Sequence, residues 1–184
     1  MQKFDAFWEA IPDLILPLAN KKRYTLRDSF GIILNGDSTL GATDIGKIAE
    51  KSELSPLFIC LDFESLDRVR ALARQFDSRV VIPRGIKEFF TASESCNFIM
   101  SEHLRGALFS FLSCTPLYLS VRDEDCREFI GELVLRQIGG GIVSPYTKNG
   151  LGKIKKVGAV DSDFYGALNA FRAELTDKLR ELTR

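Results

Sequence analysis

The sequence predicts a Rossmann-like α/β layer fold, a mostly parallel sheet with helices on both faces. Three observations carry that prediction. Short apolar runs alternate with amphipathic stretches of about ten residues or more, the pattern of successive βαβ units. The apolar runs are continuous, as strands covered on both faces must be. No internal repeat or low-complexity segment interrupts the pattern, so residues 1–184 are taken as one domain, with 45% hydrophobic content to fill its core.

Taken in order, Phe30-Gly31-Ile32-Ile33-Leu34 is a buried strand broken by the turn residues Asn35-Gly36-Asp37. A helix over 43–52 follows, with Ile45, Ile48 and Ala49 on one face. Pro56-Leu57-Phe58-Ile59-Cys60-Leu61 is the next strand. Its helix can be capped by Ser65 and repeats Leu66, Val69, Leu72, Ala73 and Phe76 at helical spacing. The β-branched run Arg79-Val80-Val81-Ile82 stops at Pro83 and reads as a third strand. A short helix over 86–92 leads to the strand Asn97-Phe98-Ile99-Met100, and a helix over 103–114 turns Leu104, Ala107, Leu108, Phe111 and Leu112 inward.

Residues 115–121 give a fifth strand, with Pro116 near its start, where a missing N–H costs least. The helix over 123–138 buries Cys126, Phe129, Ile130, Leu133 and Val134 and ends at Gly139-Gly140-Gly141, a helix C-cap rather than a phosphate loop because it follows a helix instead of opening one. Residues 139–158, rich in Gly, Pro and Lys, read as a mobile loop. A last helix beginning near Asp161 lines up Phe164, Leu168, Phe171, Leu175, Leu179 and Leu182, and residues 11–17 read as one more short strand.

Charge and composition narrow the function. Twenty-five basic residues balance twenty-five acidic ones, so no global field gathers nucleic acid or an anionic membrane. With no membrane-spanning apolar run and an acid-containing amino terminus unlike a signal peptide, the expected location is the cytoplasm. Cysteines 60, 96, 114 and 126 lack paired spacing and nearby histidines, which predicts reduced core residues and no metal site. No cofactor fingerprint is present: Asn35-Gly36-Asp37-Ser38 follows a strand but has neither G-x-G-x-x-G nor a Walker lysine.

In such sheets ligands sit beyond the carboxyl ends of the strands, where strand order reverses. Three stretches reach that edge: 35–40, 83–87 and 101–106. The last is the most informative, because an apolar strand runs directly into the opening turn of a helix bearing His103, the chain's one histidine, and Arg105. Backbone N–H groups at a helix start can hold a phosphate or carboxylate. The competing reading is a solvated surface turn, with Glu102 repelling any anion.

The segment from Asn97 to Leu119, Asn-Phe-Ile-Met-Ser-Glu-His-Leu-Arg-Gly-Ala-Leu-Phe-Ser-Phe-Leu-Ser-Cys-Thr-Pro-Leu-Tyr-Leu, resembles the signature region of the polysaccharide pyruvyl transferase family. Members show a strand, an Arg-Leu-His element followed by a small residue, an apolar helix, a Gly-or-Thr-Pro step and another strand. The resemblance implies a fold similar to the carboxyl-terminal domain of B-type (GT-B) glycosyltransferases. It also implies transfer of an enolpyruvyl group from phosphoenolpyruvate to sugar hydroxyls of cell-surface polysaccharide. This chain is similar to the carboxyl-terminal, donor-holding half alone, so the acceptor half would be separately encoded or lost.

The motif is inverted here: His103 stands in place of the family's Arg, and Arg105 in place of its His. Residues two apart on a helix lie about 200° apart around the axis, so the exchange moves the imidazole off its family position. The resemblance implies His103 and Arg105 as the catalytic pair, with Ser101 and Gly106 beside them as substrate-binding residues. Asn35 stands where many relatives carry a strand-end Arg. Phosphoenolpyruvate carries about three negative charges, which demands several converging donors, and Arg84 and Arg122 beyond the third and fifth strands are the remaining candidates.

Two readings follow: a donor domain binding phosphoenolpyruvate or another small anion, and a non-catalytic remnant serving as a binding module. A nucleotide-sugar-binding glycosyltransferase domain is a third. A homodimer or a partner domain is expected if Phe4 and Trp8 are exposed, and exposure of Phe7, Trp8 or the stripe of the last helix gives the same reason to pair.

Overall fold

The computed structural model describes residues 27–113, 115–135, 143–154 and 156. Among these residues six strands form one sheet: β1 (Ser29–Ile33), β2 (Ser55–Ile59), β3 (Val80–Val81), β4 (Ile99–Ser101), β5 (Leu117–Ser120) and β6 (Val143–Tyr146). Their order is β3-β2-β1-β4-β5-β6, and every neighbouring pair is parallel. Five helices connect them: α1 (Ala42–Ser52), α2 (Leu66–Gln75), α3 (Ile86–Glu94), α4 (Leu104–Leu112) and α5 (Glu124–Leu135). A 3₁₀ turn over Lys148–Lys153 follows β6. This is the Rossmann-like α/β arrangement that the alternating pattern predicts.

The strands sort their side chains by the period of two that a pleated backbone imposes. Phe30, Ile32, Leu34, Phe58, Cys60, Phe98 and Met100 pack with Ile45 and Ile48 of α1 and Val69, Leu72 and Ala73 of α2. Ile33, Leu57, Ile59, Ile99, Leu117 and Leu119 pack on the other face with Phe89 of α3, Ala107 and Phe111 of α4, and Cys126 and Phe129 of α5. The chain therefore lays α1 and α2 on one face, and α3, α4 and α5 on the other. That exchange of faces makes the boundary between β1 and β4 the topological switch point.

One expectation is corrected. Residues 143–154 lie within the stretch read as a mobile loop over 139–158, yet Val143–Tyr146 form β6 and the 3₁₀ turn follows at once. Pro145 and a run of only four residues hid the strand. Among the described residues β6 lies at the sheet edge and pairs with β5 alone, a place where a proline is tolerated. The turn after it is tied to α1: Lys51 Nζ donates to the Gly152 carbonyl, and Lys148 Nζ pairs with Asp44 at 3.5 Å.

The strand read at 11–17, Gly139-Gly140-Gly141 and the helix from Asp161 lie outside the described residues. So do Phe4, Phe7, Trp8 and Cys114 and the side chains of Leu112, Leu133 and Val134. Cys60, Cys96 and Cys126 are buried and free. Among the described residues, no helix is long and apolar enough to cross a membrane.

Candidate functional site

Where β1 and β4 send their chains to opposite faces, the two loops diverge and leave a cavity of about 220 Å³. Asn35 and Asp37 line it from the loop after β1, Glu102 from the residue after β4, and Ser120, Arg122, Asp123 and Glu124 from the end of β5 and the start of α5. Hydrogen bonds lace the three loops together. Asn35 Nδ2 donates to the Glu102 carbonyl at 2.6 Å, and Arg122 Nη1 donates to the Asp37 carbonyl at 3.0 Å. Arg122 also faces the Asp37 carboxylate at 3.6 Å, with both side chains more than half exposed, so that pair is weak and can open for a ligand.

Glu102 is the unusual group. Its backbone N–H donates to the Ile33 carbonyl at 3.0 Å, extending the β1–β4 ladder by one residue and fixing the side chain at the cavity. The residue is only 7% exposed, and among the described residues Oε2 has no hydrogen-bond partner. Burial pushes its carboxyl above the usual range; the Ser38 hydroxyl, Arg122 and Arg68 pull it back, and Asp37 adds to the rise. Tyr146, at the end of β6, is likewise buried, its hydroxyl without a hydrogen-bond partner among the described residues. Its pKa is driven well up by burial and by Glu102, and the Ser120 hydroxyl beside it tempers the rise.

The residues singled out by the sequence divide between this cavity and other places. Asn35 and Arg122 line it. His103 and Arg105 do not: His103 is the N-cap of α4, its Nδ1 accepting from the Arg105 backbone N–H at 3.1 Å. With Nδ1 an acceptor, the neutral ring carries its proton on Nε2, which faces Asp62 Oδ2 at 4.0 Å, in the loop after β2. Burial lowers the imidazole pKa, Asp62 raises it, Arg105 lowers it and Asp123 raises it. The Arg105 side chain is exposed. One N–H of the α4 amino end is thus already taken by the chain's own imidazole.

Ser101 is fully buried and shapes the turn, its Oγ donating to the His103 carbonyl at 2.7 Å and accepting from His103 N at 3.1 Å. Gly106 is a packing residue. A Cβ there would sit 2.8 Å from both Ile33 Cδ1 and Ser101 Oγ, so the missing side chain is what lets α4 lie against β1 and β4. Arg84 is exposed beyond β3, its backbone N–H donating to Glu88 Oε2 at 2.8 Å. Two strands separate β3 from β4, roughly 14 Å at the usual strand spacing, so it is not brought to the cavity.

Sequence reading brought Asp37 and Glu102 to the sheet edge without a binding role, and missed Ser120, Asp123 and Glu124. The available signal was positional: Asp37 and Glu102 follow the two strands that flank the switch point, and Ser120, Asp123 and Glu124 lie at the end of the next strand, β5, and the start of α5. Although four carboxylates line the cavity, no three His, Cys, Asp or Glu side chains converge as a metal-binding group among the described residues.

Comparison with family models, with curated proteins and with solved structures gives no match to this chain. Fold and cavity together define its class: a Rossmann-like α/β domain with a polar pocket at the switch point of the sheet.

Proposed function

We propose that this domain binds a small polar metabolite in the switch-point cavity, as a pyruvyl-transferase-like donor domain that takes phosphoenolpyruvate for modification of cell-surface polysaccharide. The observation that supports it most is Glu102, a carboxyl side chain buried at a cavity with one oxygen left unpartnered. Buried polar groups are satisfied in the great majority of cases, and exceptions concentrate at sites completed by a ligand, ion or water. Arg122 supplies the cationic fork for a carboxylate or phosphate, and Asn35 an amide beside it. A separately encoded acceptor domain, or a second copy of the chain, would bring the sugar.

Size argues against the nucleotide-sugar reading. A cavity of about 220 Å³ falls below the roughly 300–1,000 Å³ that houses drug-sized ligands and suits a three-carbon acid better than a sugar nucleotide. Charge supports a second reading, a non-catalytic binding module. Asp37, Asp123 and Glu124 surround the cavity along with a single arginine, a lining that suits a hydroxyl-rich ligand better than a trianion.

Titration calorimetry with phosphoenolpyruvate, a neutral sugar and a nucleotide sugar separates these. On the donor reading phosphoenolpyruvate binds, and Arg122→Ala weakens it by about tenfold or more, the loss of one charge-assisted contact. Arg105→Ala then has the smaller effect; the reverse ranking would move the anion to the amino end of α4. Binding of the neutral sugar alone establishes the module reading, and no heat with phosphoenolpyruvate removes the donor reading.

A further inference from the structure

We propose that Glu102 contacts the ligand as a carboxylic acid, donating a hydrogen bond to an acceptor oxygen (carboxylate, phosphate or carbonyl) of the molecule held in the switch-point cavity. The inference rests on the reading that the cavity holds a ligand, and it specifies which functional group the ligand must present.

Geometry carries the argument. An ionised carboxylate oxygen shut away from water needs donors, and Glu102 Oε2 has none among the described residues. The groups that face its carboxyl are the Ser38 hydroxyl and Asp37 from the loop after β1, Arg68 of α2, Arg122 beyond β5, Cys126 of α5 and Tyr146 of β6. Arg68 is committed to the Leu40 carbonyl at 2.8 Å, and Arg122 to Asp37. Neither donates to Oε2, and against the pull of Ser38 and the two arginines toward the ionised form, an oxygen without a donor favours the neutral acid. Burial acts in the same direction on the carboxyl's titration.

An acid in that state has a proton to offer. The terminal torsion of a glutamate is broad, so the hydroxyl oxygen can be turned toward the cavity without moving the backbone that Ile33 and Asn35 hold in place. A ligand oxygen would receive the Glu102 hydrogen bond on one side and the Arg122 guanidinium on the other. A sugar hydroxyl would gain less, because a neutral acid beside three other carboxylates gives it no strong acceptor of its own at Glu102.

The test is the affinity of phosphoenolpyruvate, with inorganic phosphate as a second probe, from about pH 5 to about pH 8 for wild type and Glu102→Gln. Gln keeps a donor but cannot ionise, so dividing one profile by the other removes the ligand's own titration. The expected result is a wild-type-to-variant affinity ratio that falls by about tenfold per pH unit once Glu102 ionises. A ratio that is flat or rises with pH overturns the proposal while leaving the ligand site intact. Absence of binding by both probes overturns the functional reading and this proposal with it. Should the variant not fold, ¹³C-carboxyl NMR of glutamate-labelled wild type reads the same property: one carboxyl must titrate above the others and shift on addition of phosphoenolpyruvate, and a uniform set of carboxyls overturns the proposal.

Discussion

A buried acid should reveal itself in the stability of the free protein. Because the folded-state pKa of Glu102 lies above its ordinary value of 4.5, the native chain binds more protons than the unfolded chain between those two values. The stabilisation is complete below pH 4.5 and is lost as pH rises through the raised folded value. Glu102→Gln is therefore expected to be more stable than wild type near neutral pH, by about 1–3 kcal/mol, with the gap closing in acid. Urea midpoints at two pH values check this, and equal gaps at both would mean that Glu102 ionises freely when folded. Gly106→Ala tests the neighbouring contact. Helix propensity favours Ala by up to about 1 kcal/mol, whereas overpacking costs about 1–3 kcal/mol. Overpacking should win, because Ser101 Oγ is pinned by two hydrogen bonds and cannot retreat from a Cβ at 2.8 Å. The sequence pointed to the turn holding these residues but favoured His103 and Arg105 over Glu102. A linear motif shows where a strand ends, not to which side of β1 each successive side chain departs.

Helix ends carry the clearest element-scale consequences. His103 caps α4 through a neutral Nδ1, so His103→Ala should cost about 1 kcal/mol, and His103→Asn should recover most of it, because Asn is a strong N-cap. The sign with pH is opposite to that of Glu102. The imidazole pKa is depressed below 6.5 in the folded state, so the unfolded chain takes up protons first, and stability falls as pH drops from about 6.5 through the folded value. His103→Asn should flatten that limb; an unchanged acid limb in a urea-midpoint series would show that the imidazole is not the titrating cap. At the carboxyl end of α1, Glu53 adopts the left-handed conformation with φ 56° and ψ 34°, a position that favours glycine. Glu53→Gly should raise the melting temperature, by relief of about 1 kcal/mol of backbone strain. Strand and helix positions through α5 were largely readable: most of these elements bury an apolar face that periodicity shows, and β3, two half-buried valines, was marked instead by its β-branched run and Pro83 and so was readable too. β6 was not, since its four residues include a proline and present only Tyr146 as a fully buried side chain. Its place is fixed by pairing with β5 and by lysine contacts to α1, which a local pattern does not encode.

At the scale of the whole sheet, alternating periods were enough to foresee parallel strands with helices on both faces, but not the strand order. Each right-handed crossover can step in either direction along a sheet, and which way it steps decides the face its helix covers. The switch point is thus a property of the completed topology, and the cavity inherits its place from it. The same interleaving makes one cooperative unit of two half-cores. Ile32 and Ile33 are consecutive residues of β1 that serve opposite faces, as do Phe98 and Ile99 on entering β4, so neither half-core can melt without releasing strands that hold the other. Phe98 stacks on Phe30 at 5.3 Å beneath α1 and α2, and Phe111 meets Phe129 edge-on at 6.0 Å beneath α4 and α5. Phe98→Ala and Phe111→Ala should each cost about 3–5 kcal/mol and lower the midpoint of one shared transition with unchanged urea dependence. Far-ultraviolet and near-ultraviolet circular dichroism should trace the same curve in both variants. A variant whose two signals separate would show that one face unfolds alone, and that the cavity between the faces rests on a weaker scaffold than the shared strands imply.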